Sequence, residues 1–429
     1  MDSKTTRAKS IKSQAEPGLV PGDRAEVTID RIVPGGSGMA RIDGNTLFVA
    51  LAAPGDRARV RITRIQGRTA FAEIDELLEP SPQRIEPVCP YFGRCGGCDF
   101  QQLAYEAQLA AKVTMIDDCL RRIAGIPEPP VLNITPSPEP VGHRSRAEWQ
   151  ISADRSALGY YERNSHTIVD ALECPVLVSD LAVAFSRVRA RFERGKRGEG
   201  SSKQLHAATA GGKVSLSPPY AGLELHTVEA EISGERFRYN AECFFQTNLG
   251  VLPAMIEETL RFAGEAHERS RDANEQVGGP AKSTAVDLYS GVGLFTISLA
   301  RRFDRVTGVE IHALAASFAE QNVERAGLTN VRLTSMPVER WLATRGRSLK
   351  HVGLIVVDPP RSGLGTTVVD SLIHMRPAYI AYVSCDPATL ARDIKGFLAG
   401  GYRLARVEAF DMFPQTHHVE AIAHLQRAN

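Results

Sequence analysis

Ala285-Val-Asp-Leu-Tyr-Ser-Gly291-Val-Gly293-Leu-Phe295 reads as an apolar strand that ends in a tight glycine turn and opens a helix. Glycine in such a turn lets the backbone come close to a nucleotide-like ligand. On the C-terminal side the pattern repeats: strands at Thr284–Tyr289, Val306–Glu310, Val331–Leu333 and Leu354–Asp358 alternate with helices at Phe295–Arg302, Ala313–Arg325 and Val368–Met375, and a further strand and helix lie around Cys385. This alternation predicts an α/β, doubly wound parallel sheet, whose ligands bind beyond the C-terminal strand ends. Upstream, Leu252–Phe262 reads as a helix and Gly264–Lys282 as a polar loop.

A dinucleotide fingerprint would place a third glycine at position 296, where Thr296 stands. No pyrophosphate is therefore implied. Glu310, closing the next strand, is placed to accept hydrogen bonds from two ribose hydroxyls. A turn for adenosine without phosphate, followed by an acid for ribose, points to S-adenosylmethionine.

Two further strand ends carry chemistry. Leu354-Ile-Val-Val-Asp358-Pro-Pro-Arg361-Ser-Gly places a carboxylate on a rigid loop, and Arg361 stands where amino-methyltransferases carry a base-stacking aromatic. Ala381-Tyr-Val-Ser-Cys385-Asp-Pro-Ala-Thr-Leu-Ala-Arg-Asp393 delivers a cysteine to a helix start, with Asp386 as cap and Pro387 in the first turn. There the helix dipole and free backbone N–H groups would favour thiolate. Alone, Cys385 reads more readily as a small apolar core residue at a strand end. The tail Phe413-Pro-Gln-Thr-His417-His418-Val-Glu420 supplies bases, however, and a thiolate is what uracil C5 needs. Addition of sulfur to C6 makes C5 nucleophilic, and a base then removes the C5 proton.

Nearer the N-terminus, residues 1–18 read as a disordered basic tail without the apolar stretch of a leader. Residues 19–79 read as five short strands of a small OB-type barrel. Arg57, Arg59 and Arg61 share one face of it, either as an RNA-backbone surface or as a solvated face balanced by acids. Pro80–Pro90 is a proline-spaced linker, and residues 80–235 form a mixed central domain. Cys89, Cys95 and Cys98, at C-x5-C-x2-C, form a thiolate ligand set with Cys174 as the fourth member. Cys119 falls in a helix and Cys243 in an expected strand. Spacing does not separate zinc from an iron–sulfur cluster. Arg144, Arg146 and Trp149 read as an RNA site or, residue by residue, as a core tryptophan with solvated arginines. Arg191–Lys203 is a charged, Gly- and Ser-rich loop.

With 43% hydrophobic and 24% charged residues, composition is that of an ordinary globular protein, and the net charge of +1 confines any nucleic-acid surface to a local patch. No run of about 18 apolar residues exists. No membrane span is expected, and seven cysteines without a secretory signal imply the cytoplasm.

Gly35-Gly-Ser-Gly-Met-Ala-Arg and Pro54-Gly-Asp-Arg resemble the TRAM domain of RNA-modifying enzymes. Asp-Leu-Tyr-Ser-Gly-Val-Gly, Phe245-Gln246-Thr-Asn248, Asp-Pro-Pro-Arg-Ser-Gly, the Cys385 stretch and His-Val-Glu together resemble the RNA uracil-5-methyltransferases of tRNA and 23S rRNA, in the branch that carries a [4Fe-4S] cluster. The resemblance implies a class I methyltransferase domain over 236–429, with Cys385 as nucleophile and Glu420 as base. Gln246, Tyr289, Gly291, Gly293 and Glu310 would contact S-adenosylmethionine, with Asp358 between cofactor and uracil. Cys89, Cys95, Cys98 and Cys174 would hold the cluster. The family's acid near adenine is replaced here by Met336-Pro337-Val338-Glu339. The expected partner is RNA, 23S rRNA before a tRNA T-loop, acted on by a monomer. A nicotinamide oxidoreductase is disfavoured by Thr296 and by the Cys385 and Glu420 pair. An inactive RNA-binding relative would be expected to have lost one of that pair.

Overall fold

The structure, a computed structural model, describes residues 19–194, 203–278 and 281–428. The expected basic tail and most of the 191–203 loop lie outside the described residues. The chain forms two compact units, one of the residues up to Arg31 with Ser37–Pro82, the other of Ile32–Gly36 with Gln83 onward.

The smaller unit is a six-stranded sheet, one strand more than expected: Arg24–Thr28, Arg31–Ile32, Gly38–Ile42, Asn45–Val49, Arg57–Gln66 and Thr69–Glu79. The extra strand, Arg31–Ile32, is two residues long and leaves too little periodicity to read. Alternation sends Ala40, Leu47, Val49, Ala58, Val60 and Ile62 into one core. Asp56, fully buried, accepts the Ala53 N–H at 2.6 Å and the Ser81 N–H at 3.0 Å, tying the Pro54-Gly-Asp turn to the end of the unit.

The larger unit is built on an eight-stranded sheet in the order Val331–Ser335, Arg305–Glu310, Thr284–Leu288, Leu354–Val357, Tyr379–Ser384, Glu420–Arg427, Tyr402–Phe410, Asn133–Thr135. The first five strands are parallel, and Glu420–Arg427 runs antiparallel to Tyr379–Ser384. The central strands are apolar throughout because both faces are covered. Ala285, Leu354, Val356, Ala381 and Val383 pack on one side, Val286, Leu288, Ile355, Val357 and Tyr382 on the other. A second, antiparallel sheet combines Arg146–Ile151, Leu158–Tyr161, Ile168–Asp170, Gln204–Ala210 and Lys213–Ser217.

Two local expectations fail. Gly264–Lys282 is not a loop, since Ala263–Gln276 is helical. That helix docks through the small residues Ala263, Ala266 and Ser270, which carry little hydrophobic signal. Gly353 admits it so closely that a Cβ there would stand 2.2 Å from the Ala266 carbonyl oxygen. Cys243 lies in a buried turn and not in a strand, because the strand ends at Tyr239.

The helix Tyr105–Cys119 reaches the segment Asp411–Gln415 through buried polar groups. Lys112 pairs with Asp411, both side chains at 0% exposure, and donates to the Phe413 carbonyl at 3.0 Å. Tyr105 Oη donates to Asp411 at 2.7 Å. Lys112→Met leaves the Asp411 carboxylate buried without its cation and is expected to destabilise the larger unit by about 3–5 kcal/mol. The double variant Lys112→Met/Asp411→Leu should recover part of that loss in urea unfolding.

Candidate active site

The C-terminal edge of the parallel strands gathers the sequence-predicted residues. Tyr289 follows Leu288, Glu310 ends its strand, Asp358 follows Val357 and Cys385 follows Ser384. Glu420 joins them because its strand is antiparallel, so its first residue lies at the edge where the others finish. Ser384 pairs with Ala421, which sets Glu420 beside Cys385.

On the nucleotide side, Tyr289, Gly291 and Gly293 all have positive φ, at 64°, 55° and 96°. For tyrosine this is strained backbone, held by its surroundings. No atom lies within 4 Å of where a Gly291 Cβ would stand, so that backbone borders open space. Glu310 accepts the Gly291 N–H at 2.8 Å and the His312 N–H at 2.7 Å, which fixes the carboxylate at the strand end. Gln246 donates to Asp358 at 3.4 Å. Asp287, buried under the glycine turn, accepts from Thr296 Oγ1 at 2.5 Å. Threonine at 296 thus bonds an acid in the strand, where a third glycine could not.

The free thiolate expected at the helix start is not what the structure shows. Asp386 accepts the Ala388 and Thr389 N–H groups at 3.0 and 2.8 Å, so those amides are taken by the cap. Burial, then Glu420, pushes the Cys385 thiol up to about 12, and only the Arg361 guanidinium opposes them, among the groups acting on it. Glu420, at 2% exposure, is held well above the usual carboxylate range by burial and then by Asp358, again with Arg361 in opposition. Burial raises Asp358 to about 7. Arg361 is therefore the cation that favours the ionised form of both Cys385 and Glu420. It meets His418 Nε2 at 3.3 Å. Since guanidinium only donates, that nitrogen accepts, and burial with the nearby His417 holds His418 down to about 3 and uncharged.

The profile of the tRNA (Uracil-5-)-methyltransferase family matches residues 203–428, and that of the TRAM domain residues 19–74. The chain belongs to the tRNA (uracil-5-)-methyltransferase family. It is an S-adenosylmethionine-dependent RNA uracil-5-methyltransferase with an N-terminal TRAM domain. It is 30% identical to the 23S rRNA (uracil(1939)-C(5))-methyltransferase RlmD of Pectobacterium atrosepticum, over 94% of each chain. An uncharacterised RNA methyltransferase of Gloeobacter violaceus is 33% identical, covering 96% of this chain and 99% of the relative. The crystal structure of the Pyrococcus abyssi tRNA (uracil-54, C5)-methyltransferase in complex with S-adenosyl-L-homocysteine matches with a TM-score of 0.66 at 26% identity, over 93% of this chain and all of that one.

In this methyltransferase the four predicted ligand cysteines, Cys89, Cys95, Cys98 and Cys174, line one cavity with Phe92, Gln101, Arg144 and Tyr160. Their donor chemistry fits a thiolate-bound group, and Arg144 offers a counter-charge. Among the described residues, no three His, Cys, Asp or Glu side chains stand close enough to share one metal ion. Arg144 thus faces the cysteines, and Arg146, half-buried, donates to the Asn240 and Ala241 carbonyls at 3.5 and 3.3 Å. Trp149 is core, its Nε1 donating to Tyr160 at 3.1 Å. Trp149 therefore offers no exposed ring for a base to stack on. Among the described residues, no helix is long and apolar enough to cross a membrane.

Sequence reasoning did not single out Phe244 or the bond that His418 makes. Phe244, two before Gln246, is 68% exposed while Phe245 is buried. The aromatic doublet in a polar stretch was its signal. His418 was visible only as one of several bases, because its bond to Arg361 joins distant segments.

Because the Cys385 thiol is raised to about 12, the thiol form dominates below that pH. Carbamidomethylation of the Cys385 peptide in the free protein should be slow at pH 7 and accelerate about tenfold per pH unit to pH 10. A plateau near pH 7 would show a depressed value instead.

Proposed function

We propose that the protein forms 5-methyluridine in structured RNA, in 23S rRNA before tRNA, with Cys385 as nucleophile and Glu420 as the base. The observation that carries this reading is the register that sets Glu420 against Cys385 with Arg361 acting on both. Preference for 23S rRNA rests on likeness to the Pectobacterium relative over nearly the full length. The Pyrococcus structure keeps a tRNA T-loop uridine as the second reading.

Cys385 loses its proton to solvent and its sulfur bonds uracil C6. The C5–C6 electron pair moves to C5 and the C4 carbonyl oxygen. S-adenosylmethionine, when bound, supplies the methyl group that C5 takes. Glu420, as carboxylate, then removes the C5 proton, the double bond re-forms and the thiolate leaves. Arg361 lowers the free energy of both ionised states. Tyr289, Gly291, Gly293, Glu310 and Gln246 would hold the cofactor, and Asp358 would lie between it and the base. Phe244 offers an exposed ring to the flipped nucleotide.

Cys89, Cys95, Cys98 and Cys174 would hold a [4Fe-4S] cluster as an architectural group, since the uracil chemistry moves no net electrons. What supports a common ligand is that the four thiols line one cavity. Iron and acid-labile sulfide in anaerobically purified protein should stand near four each per chain. Zinc alone would replace this assignment.

The barrel would grip RNA on a face other than the arginine stripe. Arg57 and Arg59 each pair with Glu26 and with Glu79 or Glu76, and Arg61 with Glu73 and Asp75, so their charge is spent within the protein. Beyond a bulge in the same strand, Arg64 lies 4.0 Å over the Phe71 ring, which packs on Phe48 at 5.7 Å. Both rings are half-exposed, and across the strands Arg64, Phe71, Phe48 and Met39 form one row. Bases stack on such a row at about 1–3 kcal/mol each. Phe71→Ala should weaken RNA binding by about that much, while Arg59→Ala should change it little.

The decisive assay is S-adenosylmethionine-dependent release of tritium from [5-³H]uridine-labelled rRNA and tRNA of a strain lacking the gene. Wild type should release tritium and Cys385→Ala should not. Glu420→Gln should accumulate a covalent protein–RNA adduct, because sulfur adds but cannot leave. Release by Cys385→Ala would refute the assignment.

A further inference from the structure

The cysteine-bearing segment and the loop leading to Glu420 are bonded directly. The Asp99 and Phe100 N–H groups both donate to the Gln415 carbonyl, at 3.1 and 3.0 Å. The Asp99 carboxylate accepts the His417 N–H at 2.8 Å and faces His417 Nδ1. Asp99 immediately follows Cys98, and Phe100 lies edge-on to the His417 ring at 6.5 Å. From His417 the contact continues to the His418 ring at 4.1 Å, and from His418 Nε2 to Arg361. Within the loop Thr416 Oγ1 donates to the Phe413 carbonyl at 2.8 Å and accepts the His418 N–H at 3.2 Å, and the bend is also held from outside. Gln415 is at φ 68°, and its side chain and N–H are bonded to Gln108 and Pro140, both outside the loop. Gln101, two residues beyond Asp99, accepts the Cys89 N–H at 3.0 Å, so the same short segment closes the cysteine cavity and meets the catalytic loop.

From this chain of contacts we propose that the Asp99–His417 pair is a positioning latch. It holds the His417–Glu420 loop, and through His418 the Arg361 guanidinium, in register with Cys385, so that filling of the cysteine cavity is felt at the reacting groups. The proposal rests on the roles given above to Cys385, Glu420 and Arg361, and it gives the cysteine-bound group a task in an enzyme whose chemistry transfers no electrons. Asp99 and His417 touch neither cofactor nor uracil in this account. They act through His418 and Arg361.

The test uses full-length protein and the variant His417→Phe, which keeps a ring against Phe100 and His418, loses the bond to Asp99, and leaves the cysteine segment unaltered. Asp99→Asn is the companion from the other side. In His417→Phe, kcat for tritium release should fall roughly 10- to 100-fold, as expected for reacting groups displaced by about 1 Å. KM for RNA and Kd for S-adenosylhomocysteine should stay within about twofold, since a latch displaces the reacting groups without altering either binding face. Iron content should be unchanged. Hydrogen exchange at 415–420 supplies a readout independent of turnover. Removing the iron with chelator should deprotect those amides in wild type, while in His417→Phe they should be unprotected from the start. Wild-type kcat and wild-type protection in the variant would overturn the latch, as would a loss of kcat accompanied by equal loss of cofactor binding or iron. Should wild type show no Cys385-dependent release, the assigned chemistry fails, and the exchange experiment alone still decides whether the two segments are coupled.

Discussion

One strand pairing organises the candidate site: Glu420–Arg427 lies antiparallel against Tyr379–Ser384 within a sheet that is otherwise parallel around its centre. A parallel strand can present only its last residues at the ligand-binding edge. An antiparallel neighbour presents its first residue there, and so a carboxylate some 35 positions along the chain comes to rest beside the cysteine. Register carries this placement. A slip of one residue would turn Glu420 to the opposite face of the sheet.

That placement creates an electrostatic difficulty which the rest of the site answers. A thiol and two carboxyls, Glu420 and Asp358, lie together at this edge. Both carboxyls make ionisation of the thiol harder, and Asp358 makes that of Glu420 harder. In the proposed reaction the thiol and Glu420 must both ionise against that opposition. Arg361 supplies the balancing charge, a neutral His418 fixes it, and buried polar contacts from the helix Tyr105–Cys119 and from Asp99 hold the loop that carries His418. The stretch from Asp99 to Cys119, the stretch Asp411–His418 and Arg361 are thus joined in one chain of contacts that ends on the guanidinium.

Much of this was legible in advance, for reasons tied to particular residues. Fully buried parallel strands leave continuous apolar runs, so the strands ending at Leu288, Val357 and Ser384 were readable, and with them the positions of Tyr289, Asp358 and Cys385. The helix Ala313–Arg325 has ordinary periodicity and falls where expected. The helix Ala263–Gln276 was hidden because it docks through alanine and serine, and the strand Arg31–Ile32 because it is too short for a pattern. The protonation of Cys385 could not be read because it depends on which groups occupy the helix amides and which carboxyls approach, both set by tertiary structure. The same holds for the arginine stripe of the smaller unit. Spacing put Arg57, Arg59 and Arg61 on one face, but only the fold shows Glu26, Glu73, Asp75, Glu76 and Glu79 neutralising them.

The most direct test of the central claim, that sulfur of Cys385 bonds the uracil ring, is to trap that bond. RNA carrying 5-fluorouridine retains C6 as electrophile, but its C5 fluorine cannot leave as a cation, so the adduct cannot collapse. With S-adenosylmethionine present, the account predicts a denaturation-stable protein–RNA complex whose digestion yields a nucleotide attached to the peptide containing Cys385 and no other. A complex mapped to a different cysteine, or none formed by protein that binds both RNA and cofactor, would contradict it.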